Sequence, residues 1–158
     1  MGNTKFRFAT KKDTPLILEF IKELADYENM SSEVIADEKT LCKWIFDKEK
    51  AEVLFAIEND KEVGFALFFH NFSTFLGRAG IYLEDLFVKP EYRKRGHGKA
   101  LICELARIAK SRGCGRLELS CLNWNTPSIN FYLSLGGTKM DDWTIYRFTG
   151  ESLDNLAK

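Results

Sequence analysis

The chain has 158 residues, of which 45% are apolar and 29% are charged. This length suits one domain around one core, and the composition excludes an intrinsically disordered chain. The 23 basic and 23 acidic residues cancel, so no net field draws the molecule to nucleic acid or to an anionic membrane. We therefore expect a single domain over residues 1–158 whose anion binding, if any, is local.

The N-terminal segment and the cysteines indicate a protein of a reducing compartment. The N-terminal segment MGNTKFRFATKKD lacks the apolar stretch of a secretory signal, and the apolar run Val63–Phe69 is too short to span a bilayer. No CxxC pair and no zinc-like histidine spacing accompany the four cysteines, Cys42, Cys103, Cys114 and Cys121. We predict a cytoplasmic protein with reduced, mostly buried thiols and no metal site.

Two helices follow a short strand in the first third of the chain. Phe6–Ala9 alternates and predicts a strand, after which Thr10 or Asp13 caps a helix that has Pro15 in its first turn. One apolar stripe runs along this helix through Leu16, Ile17, Phe20, Ile21, Leu24 and Tyr27. A second helix is expected over Asp37–Phe46, and its inward residues are Leu41, Trp44 and Ile45.

Strands and helices alternate in the rest of the chain. Residues 51–72 predict a hairpin that turns at Asn59-Asp60-Lys61, and residues 79–90 predict another strand that ends at Pro90. A helix from about Gly98 to Gly113, a strand over GRLELSCL, a helix over Thr126–Leu135 and a last strand over WTIYRF complete the order. This order predicts an α/β domain with a mixed sheet and helices on both faces.

The segment EYRKRGHGKALICELARIAK joins four cationic side chains and a Gly-x-Gly turn to the start of a helix. A helix N-terminus favours an anion through its unpaired amides and its dipole, and glycines let a phosphate approach closely. The Walker A and GxGxxG patterns both fail here, because Ala100 and Leu101 occupy required positions. The segment is therefore either a tight turn with solvated lysines or a cradle for a phosphorylated ligand.

Arg93, Gly96 and Gly98 match the pattern Arg/Gln-x-x-Gly-x-Gly/Ala, and the segment resembles motif A of the GNAT superfamily of N-acetyltransferases. The stretches IKELADYENM, YLEDLFV and NWNTPSINFY look like segments of its spermidine/spermine and thialysine acetyltransferase branch, in the same order. The resemblance covers nearly the whole chain. It implies a mostly antiparallel sheet of about six to seven strands, acetyl-CoA as the cofactor, and a homodimer.

The resemblance also implies where the cofactor binds. The backbone of Leu86, Phe87 and Val88 is expected to pair with the pantetheine arm, and a backbone N–H near Phe87 or Val88 is expected to meet the oxyanion. The diphosphate is assigned to the segment Arg93, Lys94, Arg95, Gly96, His97, Gly98 and Lys99, in which the His97 side chain faces solvent or a phosphate. The other side of the arm is assigned to Asn125, Thr126, Pro127 and Ser128.

Acetyl transfer to an amine needs an acceptor for the amine proton and a donor for the leaving thiolate. Glu84 is the expected acceptor, and Tyr132 falls on the catalytic tyrosine of the family and is the expected acid. Because Glu84 and Asp85 are neighbours on a strand, we expect them on opposite faces of the sheet. The amine-binding residues implied are Tyr27, Glu28, Glu84, Asp85 and Trp143.

Other candidate residues have plainer interpretations. Trp44 and Trp124 are interpreted as packing residues, and His70 as a strand-end residue. Cys121 is a poor candidate for a covalent route, because no histidine is placed by sequence to activate it.

The nature of the amine depends on one departure from the family pattern. Polyamine-acetylating members carry an acid and a tryptophan in the loop before the fourth strand, where this chain has Phe72-Ser73-Thr74-Phe75. The departure favours the thialysine-type branch and a small cationic amine such as a lysine-like side chain or a polyamine. A peptide acetyltransferase and a non-catalytic acyl-CoA sensor are the alternative functions.

Overall fold

The computed structural model describes residues 4–158, so the first three residues of the N-terminal segment lie outside the described part. The chain divides into two compact units, one ending at Ser120 and the other spanning Cys121–Lys158. In residues 4–158, every helix is too short or too polar to cross a membrane.

Among the residues that the structure describes, the first unit contains five strands and three α-helices. Its strands are β1 (Lys5–Phe8), β2 (Glu52–Glu58), β3 (Lys61–Ser73), β4 (Arg78–Val88) and β5 (Leu117–Leu119). Its helices are α1 (Thr14–Tyr27), α2 (Glu38–Leu41), which continues as a π-helix over Cys42–Asp47, and α3 (His97–Ser111). Most of these elements lie where the sequence predicts them.

The five strands form one sheet in the order β1-β2-β3-β4-β5. The first three pairings are antiparallel, and β4 pairs with β5 in parallel from Ile81↔Leu117 to Leu83↔Leu119. The predicted mixed, mostly antiparallel sheet is confirmed. The predicted count of six to seven strands is wrong, since residues 4–158 contain five.

Each face of the sheet packs against one long helix. On one face, α1 packs Ile17, Phe20 and Leu24 against phenylalanines of the sheet, namely Phe55, Phe65 and Phe87. On the other face, α3 packs against a second core, whose helix residues are Leu101, Leu105 and Ala109. Helices therefore cover both faces, as predicted.

Local sequence features set the ends of these elements. Asp13 is the N-cap of α1 and Pro15 lies in its first turn. Asn59 (φ 50°) and Asp60 (φ 62°) both adopt the left-handed conformation, which a two-residue hairpin loop requires and which Asn and Asp tolerate. The Asn59-Asp60 pair therefore predicts the turn between β2 and β3 from the sequence alone.

Two predictions about side chains in this unit are wrong. Trp44 was expected inward, but it is 46% exposed, and the Lys48 ammonium lies 4.7 Å from the centre of its ring. The π-helical winding of Cys42–Asp47 departs from the 3.6-residue period on which the expectation rested. The thiols were expected to be mostly buried, but of the three in this unit, all unbridged, only Cys114 is buried, whereas Cys42 and Cys103 are half-buried.

The second unit contains α4 (Thr126–Ser134) and α5 (Gly150–Leu156), and no strand lies among its residues. The predicted strand over WTIYRF is therefore wrong, because an alternating pattern supplies no hydrogen-bonding partner by itself. The segment exposes its large apolar side chains, Trp143, Ile145, Tyr146 and Phe148. Trp124 is 52% exposed.

Candidate active site

A β-bulge in β4 places two carboxylates on the same face of the sheet. Leu67 pairs with Asp85 whereas Phe68 pairs with Leu83, so Glu84 is one extra residue in β4. Leu83 belongs to the core under α3, and Phe87, four positions later, belongs to the core under α1. Glu84 lies opposite Leu83 and Asp85 shares the face of Phe87, so both point to the α1 face. The expectation of opposite faces is wrong because the bulge breaks the alternation.

Glu28, the C-cap of α1, completes a cluster of three carboxylates. Burial, and then the charges of Glu84 and Glu28, raise the pKa of Asp85 to about 7. Burial, and then the charge of Glu84, raise the pKa of Glu28 above its ordinary value. The cluster therefore resists full ionisation and attracts a cation. In the described residues, no group of three or more His, Cys, Asp or Glu side chains is arranged to hold a metal ion.

Aromatic rings lie beside this cluster at the end of α1. The Tyr27 ring meets the Phe87 ring edge-on, with 6.5 Å between their centres. The Arg93 guanidinium lies 5.1 Å from the centre of the Tyr27 ring and 5.0 Å from that of Phe87. Its Nε also donates to the Val88 carbonyl at 2.8 Å. Arg93 thus connects the amine-binding residues expected on α1 to the end of β4.

The end of β4 extends past its neighbour β5. Within residues 4–158, β5 pairs with β4 only from Ile81 to Leu83, whereas β4 continues to Val88. The strand edge at Leu86, Phe87 and Val88 is thus open on that side to an added strand-like ligand.

The glycine-containing loop leads directly into α3. Gly96 (φ 86°) is the N-cap of α3, and Lys94 (φ 63°) adopts the left-handed conformation despite its side chain. The first helical bond runs from the Ala100 amide to the Gly96 carbonyl at 2.9 Å. The amides that precede Ala100 have no acceptor within the helix, and the exposed Lys94 and Lys99 side chains flank them. These features fit a diphosphate.

The expectation that the His97 side chain faces solvent or a phosphate is wrong. His97 is only 4% exposed, and its ring lies between Thr4 and Glu58, with both contacts at 2.9 Å. Glu58 also accepts a hydrogen bond from Arg95 at 2.6 Å. No motif in the sequence points to Glu58, because it contacts the loop only through the pairing of strands distant in the chain.

The second unit holds the remaining candidates. The side chain of Asn125, the N-cap of α4, accepts a hydrogen bond from the Ser128 amide, and Pro127 lies in the first turn. Tyr132 is half-buried on α4, and its ring centre lies 5.2 Å from that of Phe131. Trp143 lies in the exposed segment described above.

Comparison with known proteins places the chain in a family. A family model described as the acetyltransferase (GNAT) family matches residues 18–136. A thialysine N-epsilon-acetyltransferase of Bos taurus is 37% identical, with 99% of each chain covered. An L-ornithine N5-acetyltransferase of Arabidopsis thaliana is 28% identical and covers 98% of this chain and 88% of its own.

The fold agrees with solved structures of similar size. An integron cassette protein from the mobile metagenome of V. cholerae has a TM-score of 0.82 and 29% identity, covering 100% of this chain and 99% of its own. The matched residues 18–136 include the glycine loop at the head of α3 and the end of β4. The chain therefore belongs to the GNAT family and is an N-acetyltransferase.

Proposed function

We propose that this enzyme transfers an acetyl group from acetyl-CoA to a primary amine of a small cationic substrate, by direct attack in a ternary complex. The observation that carries the proposal is the cluster of Glu28, Glu84 and Asp85 beside the open end of β4. Acetyl-CoA supplies the acyl group as a thioester, and the protein supplies the positioning and the proton transfers. A single domain over residues 1–158 and a cytoplasmic location stay predictions.

The carboxylate cluster favours a substrate that arrives with a positive charge. Burial and neighbouring carboxylates raise the pKa of Glu28 and of Asp85, so a cation that enters among the three carboxyl groups stabilises their ionised forms. The Tyr27 ring at the same end of α1 already lies 5.1 Å from the Arg93 guanidinium, and we propose that it also contacts the alkylammonium group of the substrate. A neutral or anionic acceptor would gain neither interaction, so the site favours an amine over an alcohol or a carboxylic acid.

An amine attacks the thioester only after it loses a proton, and amines of this kind are almost wholly protonated at neutral pH, since their pKa is about 10. We assign the proton to Glu84, which is exposed and can pass it to solvent directly or through water. Asp85, whose pKa is raised to about 7, is buried more deeply and is assigned to binding the ammonium group. The bulge lets the two carboxylates act on one amine.

The acetyl donor must be bound in place, and its sulfur needs a proton as it leaves. We assign the diphosphate to the backbone amides at the head of α3, with Lys94 and Lys99 beside them, and the pantetheine arm to β4 at residues 86–88. A backbone N–H of Phe87 or Val88 stabilises the negative charge that develops on the carbonyl oxygen. Tyr132 donates the proton to the thiolate as the carbon–sulfur bond breaks.

The names of the relatives support amines that are carried on amino acids. The similar proteins are named for thialysine and L-ornithine, which both bear a side-chain amine at the end of a short chain. Another similar protein is named for spermidine and spermine, so a polyamine is the second choice. We place lysine-like amines first because this chain has Phe72-Ser73-Thr74-Phe75 before β4.

One assay separates this function from the two alternatives. Thiol release from acetyl-CoA is measured with lysine analogues, polyamines and short peptides as acceptors, beside calorimetric binding of acetyl-CoA. We expect binding, and thiol release that depends on the small cationic amines. Release with peptides alone would indicate a peptide acetyltransferase, and binding without release would indicate an acyl-CoA sensor. The absence of any heat of binding in folded protein would refute the proposal altogether.

We also propose that two copies associate through the segment over residues 143–148. An alternating segment with four exposed apolar side chains has the composition of a strand and lacks a partner strand in the described residues. Exposed apolar clusters of this kind mark protein contacts. A sheet edge of a second copy offers both the hydrogen bonds and the apolar cover, and the resemblance implied a homodimer.

Sedimentation of the full chain tests this association. The wild-type protein is expected to sediment as a dimer, and Ile145→Asp as a monomer, because a carboxylate at a buried contact costs several kcal/mol. Ile35→Asp is the control, since Ile35 is also an exposed isoleucine (94%, against 72% for Ile145) but lies in the first unit. A monomeric wild-type protein, or a dimer that Ile145→Asp leaves intact, would contradict the proposal.

A further inference from the structure

One carboxylate holds the glycine loop from both sides. Glu58, the last residue of β2, accepts hydrogen bonds from Arg95 through one oxygen (2.6 Å) and from His97 through the other (2.9 Å). These two residues flank Gly96, the N-cap of α3. The loop is therefore fastened, immediately before and after its glycine, to the strand that precedes the β2–β3 turn.

The chemistry of the contacts defines the state of the imidazole. An ionised carboxylate only accepts hydrogen bonds, so His97 Nε2 carries the proton that it donates to Glu58. Thr4 Oγ1, 2.9 Å from Nδ1, can donate to the ring or accept from it. The His97 hydrogen bond, together with the Arg95 charge, keeps the pKa of Glu58 below its ordinary value. The stability that this contact contributes is therefore fully present above the ordinary pKa of a glutamate, and it is lost as the pH falls through the folded pKa of Glu58. Both ring nitrogens and both carboxylate oxygens therefore have partners.

The glycine loop needs these contacts because part of its backbone adopts an unfavourable conformation. Lys94 and Gly96 both have positive φ, and for a residue with a Cβ this conformation costs about 1–2 kcal/mol. A loop that relaxed from this conformation would have to be reordered when a ligand binds, and that cost would lower affinity. A loop held in place presents its amides without reordering.

We propose that Glu58 is a positioning residue, which acts through Arg95 and His97 to hold the glycine loop ready for the diphosphate of coenzyme A. The inference rests on the proposed function, because it takes the diphosphate to bind at this loop. It assigns Arg95 and His97 to holding the loop rather than to touching phosphate. Glu58 itself touches neither substrate.

Two acyl donors separate a positioning role from a general loss of stability. Acetyl-CoA carries the diphosphate, and S-acetylpantetheine carries the same thioester without it. In Glu58→Ala, we expect the Kd for acetyl-CoA in calorimetry, and its KM, to rise about tenfold. The kcat/KM for S-acetylpantetheine is expected to stay within about twofold of the wild-type value. Glu58→Gln keeps an acceptor for His97 and is expected to recover part of the affinity.

Glu52 provides the matched control at the opposite end of the same strand. It forms an ion pair with Arg112 through two contacts, at 2.6 and 2.9 Å, and has no assigned role in the reaction. Glu52→Ala removes a similar interaction and is expected to leave the Kd for acetyl-CoA unchanged. Unfolding in urea, followed by circular dichroism, compares the stabilities of the two variants.

Each outcome decides the inference. If Glu58→Ala binds acetyl-CoA as well as wild-type protein does, then Glu58 is only structural and the proposed function stands. Where the alanine variant does not fold, the same comparison is made with Glu58→Gln. An equal loss with both donors also refutes the positioning role, because the diphosphate then plays no part. If wild-type protein does not bind acetyl-CoA, the proposed function fails first and the inference fails with it.

Discussion

Replacing Asp85 with asparagine is expected to stabilise the protein at pH 8 much more than at pH 5. The carboxyl group is buried beside Glu84 and Glu28, and its pKa rises from 3.8 to about 7. The unfolded chain releases this proton at a lower pH than the folded protein does, so wild-type stability falls as the pH rises between those two values. Asparagine has no proton to release. From about pH 5 to about pH 8, we expect the free energy of unfolding of Asp85→Asn to gain roughly 1–3 kcal/mol over wild type.

Urea unfolding at several pH values measures this gain, and two further variants define its cause. Removing the Glu84 charge with Glu84→Gln removes one like charge, so the gain from Asp85→Asn is expected to shrink in that background. Glu33→Gln removes an exposed carboxylate of the same unit and serves as the control. Parallel pH profiles for wild type and Asp85→Asn would contradict the assignment. Because both carboxylates act on the amine in the proposed reaction, Glu84→Gln and Asp85→Asn are also expected to lower kcat/KM for the amine.

Removing the Tyr132 hydroxyl is expected to reduce kcat by about 10²–10⁴, the usual worth of a positioned general acid. The variant Tyr132→Phe keeps the ring and its contact with Phe131, so the fold of α4 is expected to persist. The loss is expected in kcat and kcat/KM alike, since the proton moves only as the thiolate leaves. Steady-state thiol release with the best amine, beside calorimetric binding of acetyl-CoA, measures both quantities.

The matched control is Tyr82→Phe, which also removes one phenolic hydroxyl. Tyr82 hydrogen-bonds to Ser120 at 2.5 Å and has no assigned role in the reaction. Its kcat is expected to stay within about twofold of wild type. If Tyr132→Phe turns over as fast as Tyr82→Phe, Tyr132 is not the acid, and another donor or water protonates the sulfur.

Periodic features of the sequence predicted the elements that depend on local rules. The apolar stripe of α1 and the turn at Asn59-Asp60 follow from spacing and backbone preference, and both are confirmed. Of the two predicted caps, Thr10 and Asp13, the structure has Asp13 at the N-cap position. No pattern in the sequence predicts the bulge at Glu84. It lies where the pairing of β3 with β4 shifts by one residue, between Leu67 and Phe68, and this pairing joins residues that no local spacing relates.

The same limit explains the errors at the two other places. His97 stands in a segment whose composition suits phosphate, yet its ring is held by Thr4 and Glu58, which approach only when β1 and β2 pair. The WTIYRF stretch has the pattern of a strand, but strand formation requires a hydrogen-bonded neighbour that the pattern cannot name. Spacing describes what a segment is able to form, whereas contacts between distant segments decide what it forms.

The extra residue in β4 also bears on how this enzyme could change over evolutionary time. Glu84 and Asp85 leave both hydrophobic layers untouched, because the strand returns to its alternation at Leu86 and Phe87. Exchanging those two side chains would alter the charge offered to an acceptor without disturbing either layer. Deleting either of them would restore the regular alternation of the strand, with every later side chain on its present face and only one carboxylate at this point. A lineage that adopts new acceptors can therefore change the number of charges here, as well as the side chains, without repacking either layer.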